Sequence, residues 1–280
     1  MHQRKTFQRA EILCRLKDTE ASGVPIIGAG SSCGLIAKCA EQGGADLIIV
    51  YSTGLSRLKG LPTTILGDSN LATMQMAEEI LNVVAATPVI AGIEANDPRF
   101  WDLSYLIDKF MAEGYSGFIS YPTIGFFEPE SLWRRMNESV GLGLPREAEM
   151  IKCAREKDIF TMAYVFRAEE ARVMAEAGLD CAVAHVGGTA GGMVGVDADP
   201  MDKAVEAVRA IHAAAVEVNP DIICLAHGGP FVGPAETEPL YARTEVAGFV
   251  GASSIERVPI EQAVTGVVQQ FKNQRTARVR

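Results

Sequence analysis

The sequence predicts a closed barrel of eight parallel strands, each followed by a helix. Eight short apolar runs alternate with segments that carry a helical repeat of apolar residues, and polar side chains cluster directly after the runs. A chain of 280 residues with 48% hydrophobic residues can also bury one large core. We therefore expect a single TIM-barrel domain over residues 1–280, with a leading helix at 3–20 and the barrel at 24–275.

An open, doubly wound α/β sheet is the alternative fold. Such a sheet usually carries the turn Gly-x-Gly-x-x-Gly after its first strand. This chain has Gly28-Ala29-Gly30-Ser31-Ser32-Cys33 at that point, which lacks the last glycine. The barrel is therefore the better prediction.

The predicted strands are apolar at nearly every position. This pattern is typical of parallel strands that are covered on both faces. We place them at 25–30, 46–50, 88–93, 117–120, 159–164, 181–185, 222–227 and 249–252.

Helical patterns fill the intervals between the strands. Ser31 and Ser32 follow the first strand and are expected to cap a helix that runs to about residue 42. The leading helix is expected to cover either the bottom of the barrel or a partner subunit. The other helices are predicted at 71–86, 100–113, 128–157 with a break at 141–145, 168–177, 200–218, 235–243 and 260–274.

The segment 55–70 is predicted to be a loop that is too long for a plain connector. Loops of this length are usually functional lids or disordered segments. Arg57 and Lys59 in this loop could reach an anionic ligand across the barrel mouth. Solvated surface charge is the commoner fate of such residues.

Composition excludes several classes of function. The net charge of −9 argues against general binding to nucleic acid, which needs clustered Lys and Arg, and against an anionic membrane surface. No apolar run is long enough to span a bilayer, and the N-terminal stretch lacks the apolar core of a signal peptide. The six cysteines show no paired metal spacing, which fits reduced thiols in a cytoplasmic protein.

Two histidines end two of the apolar runs in nearly the same way. His185 closes the sixth strand shortly before Gly187-Gly188, and His227 closes the seventh directly before Gly228-Gly229. The carboxyl ends of barrel strands meet at one rim, where barrel enzymes place their functional groups. We therefore predict that His185 and His227 are catalytic acid/base residues, although each alone could be a buried histidine before a turn. Glu94 and Glu256, at two other strand exits, complete the predicted catalytic set.

Small residues and hydroxyl groups at the strand exits predict contacts with an anionic substrate. Backbone amides after strands seven and eight are where barrels often bind phosphate, although tight turns need the same small residues. The predicted substrate- and phosphate-binding residues are Ser31, Ser32, Tyr51, Tyr121, Gly228, Gly229, Ser253, Ser254 and Arg257.

Carboxylates after strand three predict a site for a hard cation. Glu94 and Asp97 could hold Mg²⁺ together with water, while Asp97 could equally be a turn or cap residue. A zinc site built from His185, His227 and a carboxylate is a further alternative. No lysine lies at a strand exit, which disfavours a Schiff-base mechanism. No organic cofactor is implied.

Distinct short motifs lie at or near most strand exits. They are Gly28-Ala29-Gly30-Ser31-Ser32, Gly67-Asp68-Ser69-Asn70, Ala91-Gly92 with Asn96-Asp97-Pro98, Tyr121-Pro122-Thr123-Ile124-Gly125, Ala184-His185 with Thr189-Ala190-Gly191-Gly192, His227-Gly228-Gly229-Pro230 and Gly251-Ala252-Ser253-Ser254-Ile255-Glu256-Arg257. Together they resemble the phosphoenolpyruvate hydrolase-like family of TIM barrels, which includes the C-terminal barrel of a plant virus-resistance protein.

This resemblance implies kinship with the phosphoenolpyruvate mutase and phosphonopyruvate hydrolase barrels, which use Mg²⁺ and stabilise a pyruvate enolate. Those enzymes usually carry Asp-x-Asp after strand three and Glu-Asp-Lys after strand four. Here the corresponding stretches are Glu94-Ala95-Asn96-Asp97 and Tyr121-Pro122-Thr123. The first stretch matches Asp-x-Asp only in part, and the Glu-Asp-Lys motif is absent. The absence of Glu-Asp-Lys argues against C–P bond hydrolysis.

The leading functional prediction is a hydrolase or lyase that acts on a small phosphorylated or phosphonate 2-oxo acid, such as phosphoenolpyruvate or phosphonopyruvate. The alternative is a non-catalytic ligand-binding or signalling barrel, because one fold hosts many functions. The titratable groups at the rim favour an enzyme with a small anionic substrate. The leading helix and the apolar residues Ala213, Ala214 and Val216 predict a homo-oligomer.

Overall fold

The strands close into a barrel in the order of the chain. In the computed structural model, which describes residues 5–276, each strand pairs in parallel with the next, and the first strand also pairs with the last. An open sheet would leave two unpaired edges. The predicted barrel is therefore confirmed, and the doubly wound alternative is excluded.

Each end of each strand lies within one residue of its predicted position. The strands are β1 Ile26–Gly30, β2 Leu47–Val50, β3 Val89–Ile93, β4 Gly117–Ser120, β5 Phe160–Val165, β6 Cys181–His185, β7 Ile223–His227 and β8 Gly248–Gly251.

The helices of the described chain lie outside the strands and at the two ends of the barrel. They are α1 Arg9–Ala21, α2 Gly34–Gln42, α3 Thr53–Leu58, α4 Ser69–Leu81, α5 Leu103–Glu113, α6 Leu132–Ser139, α7 Leu144–Glu156, α8 Ala168–Glu176, α9 Met201–Val218, α10 Pro234–Arg243 and α11 Val258–Lys272. A 3₁₀ turn at Ile124–Phe126 and a π-helical turn at Ser253–Arg257 follow β4 and β8.

Alternate strand residues fill the barrel interior or pack outward under the helices. The interior holds large side chains such as Leu47, Phe160 and Leu225. Outward residues such as Ile48 and Phe118 pack with the helices in a second cluster. The lower interior is therefore a packed core, which leaves the carboxyl ends of the strands as the place for a cavity.

Helix α1 closes the amino-terminal end of the barrel. Phe7, Ile12 and Leu16 are buried in the same cluster as the barrel interior. Arg9 Nη2 donates a hydrogen bond to Asp180 Oδ1 at 2.6 Å, which ties the helix to the start of β6. The leading helix was expected to cover either the bottom of the barrel or a partner subunit, and it covers the bottom of the barrel. It begins six residues later than predicted, and residues 3 and 4 of the predicted helix lie outside the described chain.

The segment predicted as a long loop is partly helical. Helix α3 occupies its first part, and α4 begins at Ser69. Asp68 caps α4, because its Oδ1 accepts a hydrogen bond from the Leu71 N–H at 3.0 Å. A helix of six residues is too short to show a hydrophobic repeat, so the sequence pattern could not reveal α3.

The expected capping of α2 by Ser31 and Ser32 is wrong. The N-cap residue is Cys33, and its side chain makes no capping hydrogen bond. Ser31 instead donates its N–H to Ile49 O at 2.9 Å, which extends the β1–β2 ladder by one residue.

The described part of the chain contains no helix with the length and apolar character needed to cross a bilayer.

Candidate active site

A cavity of about 540 Å³ opens at the carboxyl ends of the strands. This is the face on which barrel enzymes carry their active sites, and the volume is typical of small-molecule sites. The cavity brings together six of the predicted site residues: Tyr51, Glu94, Tyr121, His185, His227 and Ser253.

The two histidines lie side by side in the cavity wall. They are direct register partners of β6 and β7, and their ring centroids are 4.7 Å apart. Each ring uses Nδ1 for a backbone hydrogen bond, so the Nε2 edge remains to meet a ligand. Neither Nε2 has a hydrogen-bond partner among residues 5–276.

The backbone contacts assign opposite tautomers to the two rings. His227 Nδ1 lies 2.7 Å from Val250 O, and because a carbonyl only accepts, Nδ1 carries the proton. The Gly187 N–H donates to His185 Nδ1 at 3.1 Å, so that nitrogen is bare. In the neutral rings, His185 therefore presents an Nε2–H donor and His227 presents an Nε2 lone pair.

Burial keeps both rings neutral at physiological pH. It lowers the pKa of His227 to about 4. Burial, and next the neighbouring His227, hold the pKa of His185 well below its ordinary value. A hydrogen-bond donor and a base are thus available together, without either ring carrying a charge.

Three buried tyrosines line the cavity beside the histidines. The hydroxyls of Tyr51 and Tyr164 are 3.4 Å apart, and the Tyr121 hydroxyl lies 3.0 Å from Thr53 Oγ1. Burial raises the pKa of all three phenols, so they stay protonated and can donate hydrogen bonds.

Arg57 supplies positive charge to the cavity wall. It lines the cavity although only 5% of the residue is exposed. Its Nε donates to Glu256 Oε1 at 2.5 Å, and its Nη1 donates weakly to Thr53 Oγ1 at 3.4 Å. Nη2 forms an ion pair with Glu256 but lacks a well-aligned hydrogen bond. The guanidinium is therefore fixed in place. Nη2 is buried against Glu256, so Nη1, with its weak contact to Thr53, is the group left to meet an anion.

The sequence left open whether Arg57 and Lys59 reach a ligand or are solvated surface charges. Lys59 is exposed and is a surface charge, whereas Arg57 lines the cavity. Glu256 also differs from its predicted place. It does not line the cavity but lies behind Arg57, where its Oε2 accepts a hydrogen bond from Ser32 Oγ at 3.0 Å. Ser32 likewise lies behind the cavity wall, so both residues support Arg57.

The carboxylates after β3 do not gather into a metal centre. Asp97 accepts hydrogen bonds from Arg99 Nε at 2.9 Å and Asn70 Nδ2 at 3.1 Å, and it does not line the cavity. Among residues 5–276, no three His, Cys, Asp or Glu side chains form a group that could hold a metal ion. The zinc alternative, which needs three such ligands, therefore does not fit. The predicted Glu94–Asp97 pair is divided, because Asp97 is bound by Arg99 and Asn70 outside the cavity wall. Burial, and next the charge of Asp97, raise the pKa of Glu94, which faces the cavity alone.

Gly228 and Gly229 form a tight turn and not a phosphate cradle on the cavity. Both have positive φ, at 81° and 58°, and the Gly229 N–H already donates to Gly187 O at 3.0 Å. A Cβ on Gly228 would lie 2.1 Å from Gly187 O, so the turn itself requires glycine. Neither residue lines the cavity.

The other predicted binding residues also lie outside the cavity wall. Ser31 belongs to the strand ladder, as described above. Ser254 Oγ is buried with no partner among residues 5–276. Arg257 Nη2 donates to Gly191 O at 3.1 Å, and its Nη1 donates to Glu261 at 3.0 Å. Arg257 therefore holds the segment after β6 in place and does not reach the cavity.

One buried carboxylate that the sequence did not reveal organises the opposite wall. Glu147 of α7 accepts hydrogen bonds from Thr123 Oγ1 at 2.7 Å, Asn96 Nδ2 at 2.6 Å and the Ile124 N–H at 2.7 Å. All three donors belong to residues that line the cavity. Burial raises the pKa of Glu147 to about 7. Its place after the Gly143-Leu144-Pro145 helix start is a helix signal only, which is why sequence reasoning missed it.

These features define a TIM barrel of the ligand-binding or catalytic class, because polar groups from several strands converge in one cavity at the carboxyl face. The chain belongs to the phosphoenolpyruvate hydrolase-like family, whose sequence profile matches residues 11–274. The family resemblance seen in the sequence is confirmed.

Two curated relatives are similar along almost the whole chain. The ToMV susceptible protein tm-1(GCR26) of Solanum lycopersicum is 41% identical over 275 residues, which cover 95% of this chain and 36% of the relative. A Sinorhizobium fredii protein, y4pA, provisionally named as a transcriptional regulatory protein, is 30% identical over 280 residues, which cover 97% of this chain and 45% of the relative. The chain thus spans less than half the length of either relative.

A solved structure confirms the fold relationship. Phosphonopyruvate hydrolase, crystallised with oxalate and Mg²⁺, superposes with a TM-score of 0.60 at 19% identity, over 93% of this chain and 87% of that one. At this identity the likeness concerns the fold alone.

Proposed function

We propose that this chain is a hydrolase or lyase that acts on a small 2-oxo acid in the cavity at the carboxyl ends of the strands. The observation that carries the proposal is the histidine pair with opposite tautomers. A neutral donor and a neutral base, side by side in a buried wall, are suited to proton transfer next to a carbonyl group.

Cleavage of a bond to C3 of a 2-oxo acid leaves its electron pair on an enolate. The enolate oxygen needs hydrogen-bond donors, and the neighbouring carbon needs a proton. His185 Nε2–H and the tyrosine hydroxyls would donate to the oxygen. His227 Nε2 would take up a proton from the attacking water or the substrate and return it to C3. Glu94, with its raised pKa, is a second proton carrier that lines the same cavity.

The acid group of the substrate would lie at Arg57, with Ser253 as an additional hydrogen-bond partner. This group is a carboxylate, a phosphonate or a phosphate. The Gly229 amide donates to Gly187 O, and neither Gly228 nor Gly229 lines the cavity, so this turn adds no phosphate contacts. The family description and the phosphonopyruvate hydrolase neighbour support the 2-oxo acid class.

Turnover of a small panel tests the proposal. Phosphonopyruvate and oxaloacetate, with the enol phosphate phosphoenolpyruvate beside them, are each incubated with the protein, with and without Mg²⁺, and pyruvate and oxalate are measured. We expect turnover of at least one compound and a loss of roughly 10²-fold or more in His227→Gln, as for other general acid/base residues. His212→Gln, on α9 and outside the cavity wall, is the matched control and should retain activity. Equal rates in His227→Gln and the wild type would contradict the proposal.

A ligand-sensing barrel is the second candidate. The observation that favours it is the provisional naming of the y4pA relative, in which the matched region forms less than half of the protein. In this case a 2-oxo acid would raise the melting temperature of the chain without product formation, since ligand binding stabilises the folded state. Turnover in the panel above would exclude this role as the sole one.

A further inference from the structure

The cavity has two zones of different chemistry. Its floor holds the polar groups described above: Tyr51, Arg57, Glu94, Tyr164, His185 and His227. Its mouth is lined by large apolar side chains, which we call the apolar rim: Ile65, Phe126, Phe127, Trp133, Val194 and Val196. The rim comes from the segments that follow β2, β4 and β6, so three separate parts of the chain place apolar groups around one opening.

The apolar rim is unusually open to solvent. Phe126, Phe127 and Trp133 are 45%, 40% and 58% exposed, although they are among the largest apolar side chains of the chain. Apolar groups that are clustered and exposed mark surfaces that become covered by a partner molecule. Here they surround a concave opening, which fits a small molecule that enters the cavity.

Phe126 joins the two zones. Its ring centroid lies 5.2 Å from that of His185 and 5.8 Å from that of Tyr121. A substituent on the carbon that reacts at the histidines would therefore pass directly along the Phe126 ring and on towards Phe127 and Trp133, whose centroids are 6.4 Å apart.

The size of the cavity also favours a ligand with an apolar part. Its volume is about 540 Å³, whereas one water takes up about 30 Å³ in the liquid. A three- or four-carbon oxo acid would occupy only the floor and would leave the rim wet. A larger substrate would displace that water and cover the apolar surface.

We infer that the substrate is a 2-oxo acid whose C3 carries a branched or aromatic apolar group, with its acid end at Arg57 and its apolar end against the rim. This inference rests on the proposed function and narrows its substrate class. Trp133 is the rim residue best suited to a test, because it is mostly exposed and its replacement should leave the fold intact.

Isothermal titration calorimetry of the intact protein tests the inference. The ligands are phenylpyruvate, 4-methyl-2-oxopentanoate and pyruvate, with 3-phenylpropionate as a compound that lacks the oxo group. We expect both larger oxo acids to bind at least tenfold more tightly than pyruvate, and 3-phenylpropionate to bind more weakly than phenylpyruvate. Trp133→Ala should remove most of the preference for the larger acids.

Trp101→Ala is the matched control, because Trp101 is similarly exposed, at 63%, but does not line the cavity. It should retain the full preference. Pyruvate binding as tightly as phenylpyruvate, or a preference that survives in Trp133→Ala, would overturn the inference and leave the proposed function standing. Binding of none of the oxo acids would instead remove the proposed function.

Discussion

Glu147 shows how a single buried group can hold a functional surface together. Its carboxylate is fully buried and joins the segments after β3 and β4 through the side chains of Asn96 and Thr123 and the Ile124 amide. Glu147 does not itself line the cavity. Glu147 is therefore a positioning residue, which acts through the residues that it orients.

Replacement of Glu147 by Gln should make stability depend less on pH. Burial raises the pKa of Glu147 to about 7 from its ordinary value of 4.5. Between these values the folded state holds a proton that the unfolded state releases, so the contribution of Glu147 to stability is present below pH 4.5 and is lost as pH rises through 7. Glu147→Gln lacks this contribution. Its NH₂ group would also be placed against hydrogen-bond donors, where the wild-type carboxylate accepts.

Urea unfolding at pH 5 and pH 8 measures the effect. We expect the stability difference between the wild type and Glu147→Gln to shrink by on the order of 2–3 kcal/mol from pH 5 to pH 8. Glu149→Gln, on the exposed face of the same helix, is the control and should show no such trend. A difference that stays constant with pH would show that the buried carboxyl does not titrate in this range.

At the residue scale, the sequence revealed the groups that end strands. His185, His227, Tyr51 and Tyr121 could be predicted because a polar residue directly after an apolar run must lie at the rim of the barrel. Arg57 and Glu147 belong to helices, where a charged residue usually faces solvent. Their burial depends on partners that are distant along the chain, and a single sequence does not show such pairings.

Helix α3 is the element that carries Arg57 to the cavity, and a buried ion pair fixes it there. Arg57 and Glu256 are both almost fully buried, and they connect α3 to the turn after β8. Gly54 allows the close approach, since a Cβ there would overlap Ser32 Oγ. This contact between distant segments explains why the first part of the segment 55–70 is a helix and not the predicted long loop.

The ion pair gives a prediction at the scale of the element. Glu256→Gln leaves the charge of Arg57 buried without compensation, which typically costs about 3–5 kcal/mol. The double variant Arg57→Met/Glu256→Leu removes both charges and should be more stable than Glu256→Gln alone. Thermal unfolding of the wild type, Arg57→Met, Glu256→Leu and the double variant forms a complete cycle, and Glu256→Gln is measured beside it. A double variant less stable than Glu256→Gln would contradict this assignment.

The homo-oligomer remains a proposal for the whole molecule, but its structural basis differs from the expected one. Helix α1 is used inside the chain, and Ala214 of α9 is buried. An exposed apolar surface outside the cavity mouth lies instead on α11, of which only Val258 is buried. Its exposed residues form one helical stripe: Ile260, Val264, Val267, Val268 and Phe271, which are between 42% and 67% exposed.

A second copy of this chain is the partner that we propose for α11, because two identical stripes can cover each other around a two-fold axis. Light scattering after gel filtration should give at least twice the monomer mass of 30.0 kDa. Val264→Glu and Phe271→Glu should shift the protein towards the monomer. Gln262→Glu, on the other side of the helix, should not. A wild-type monomer at micromolar concentration would contradict the proposal.

At the scale of the whole molecule, the barrel was almost completely predictable. Eight buried parallel strands and their helical connections leave few closed arrangements, and strand ends are marked by a change from apolar to polar residues. The cavity was predictable in position but not in its walls. Turn geometry decided that Gly228 and Gly229 pack against the segment after β6, and partner choice decided that Asp97 binds Arg99.

Hydrogen exchange at C3 of a 2-oxo acid tests the central claim most directly, because it reports enolate formation whichever bond the enzyme cleaves. Pyruvate and 4-methyl-2-oxopentanoate are incubated with the protein in D₂O, and the C3 proton signal is followed by NMR. The histidine pair predicts catalysed exchange that persists from pH 8 to pH 5, since the pKa of His227 is about 4, and that is lost in His227→Gln. Exchange at the uncatalysed rate while the 2-oxo acid is bound, or equal exchange rates in His227→Gln and the wild type, would contradict the claim that the histidine pair forms an enolate.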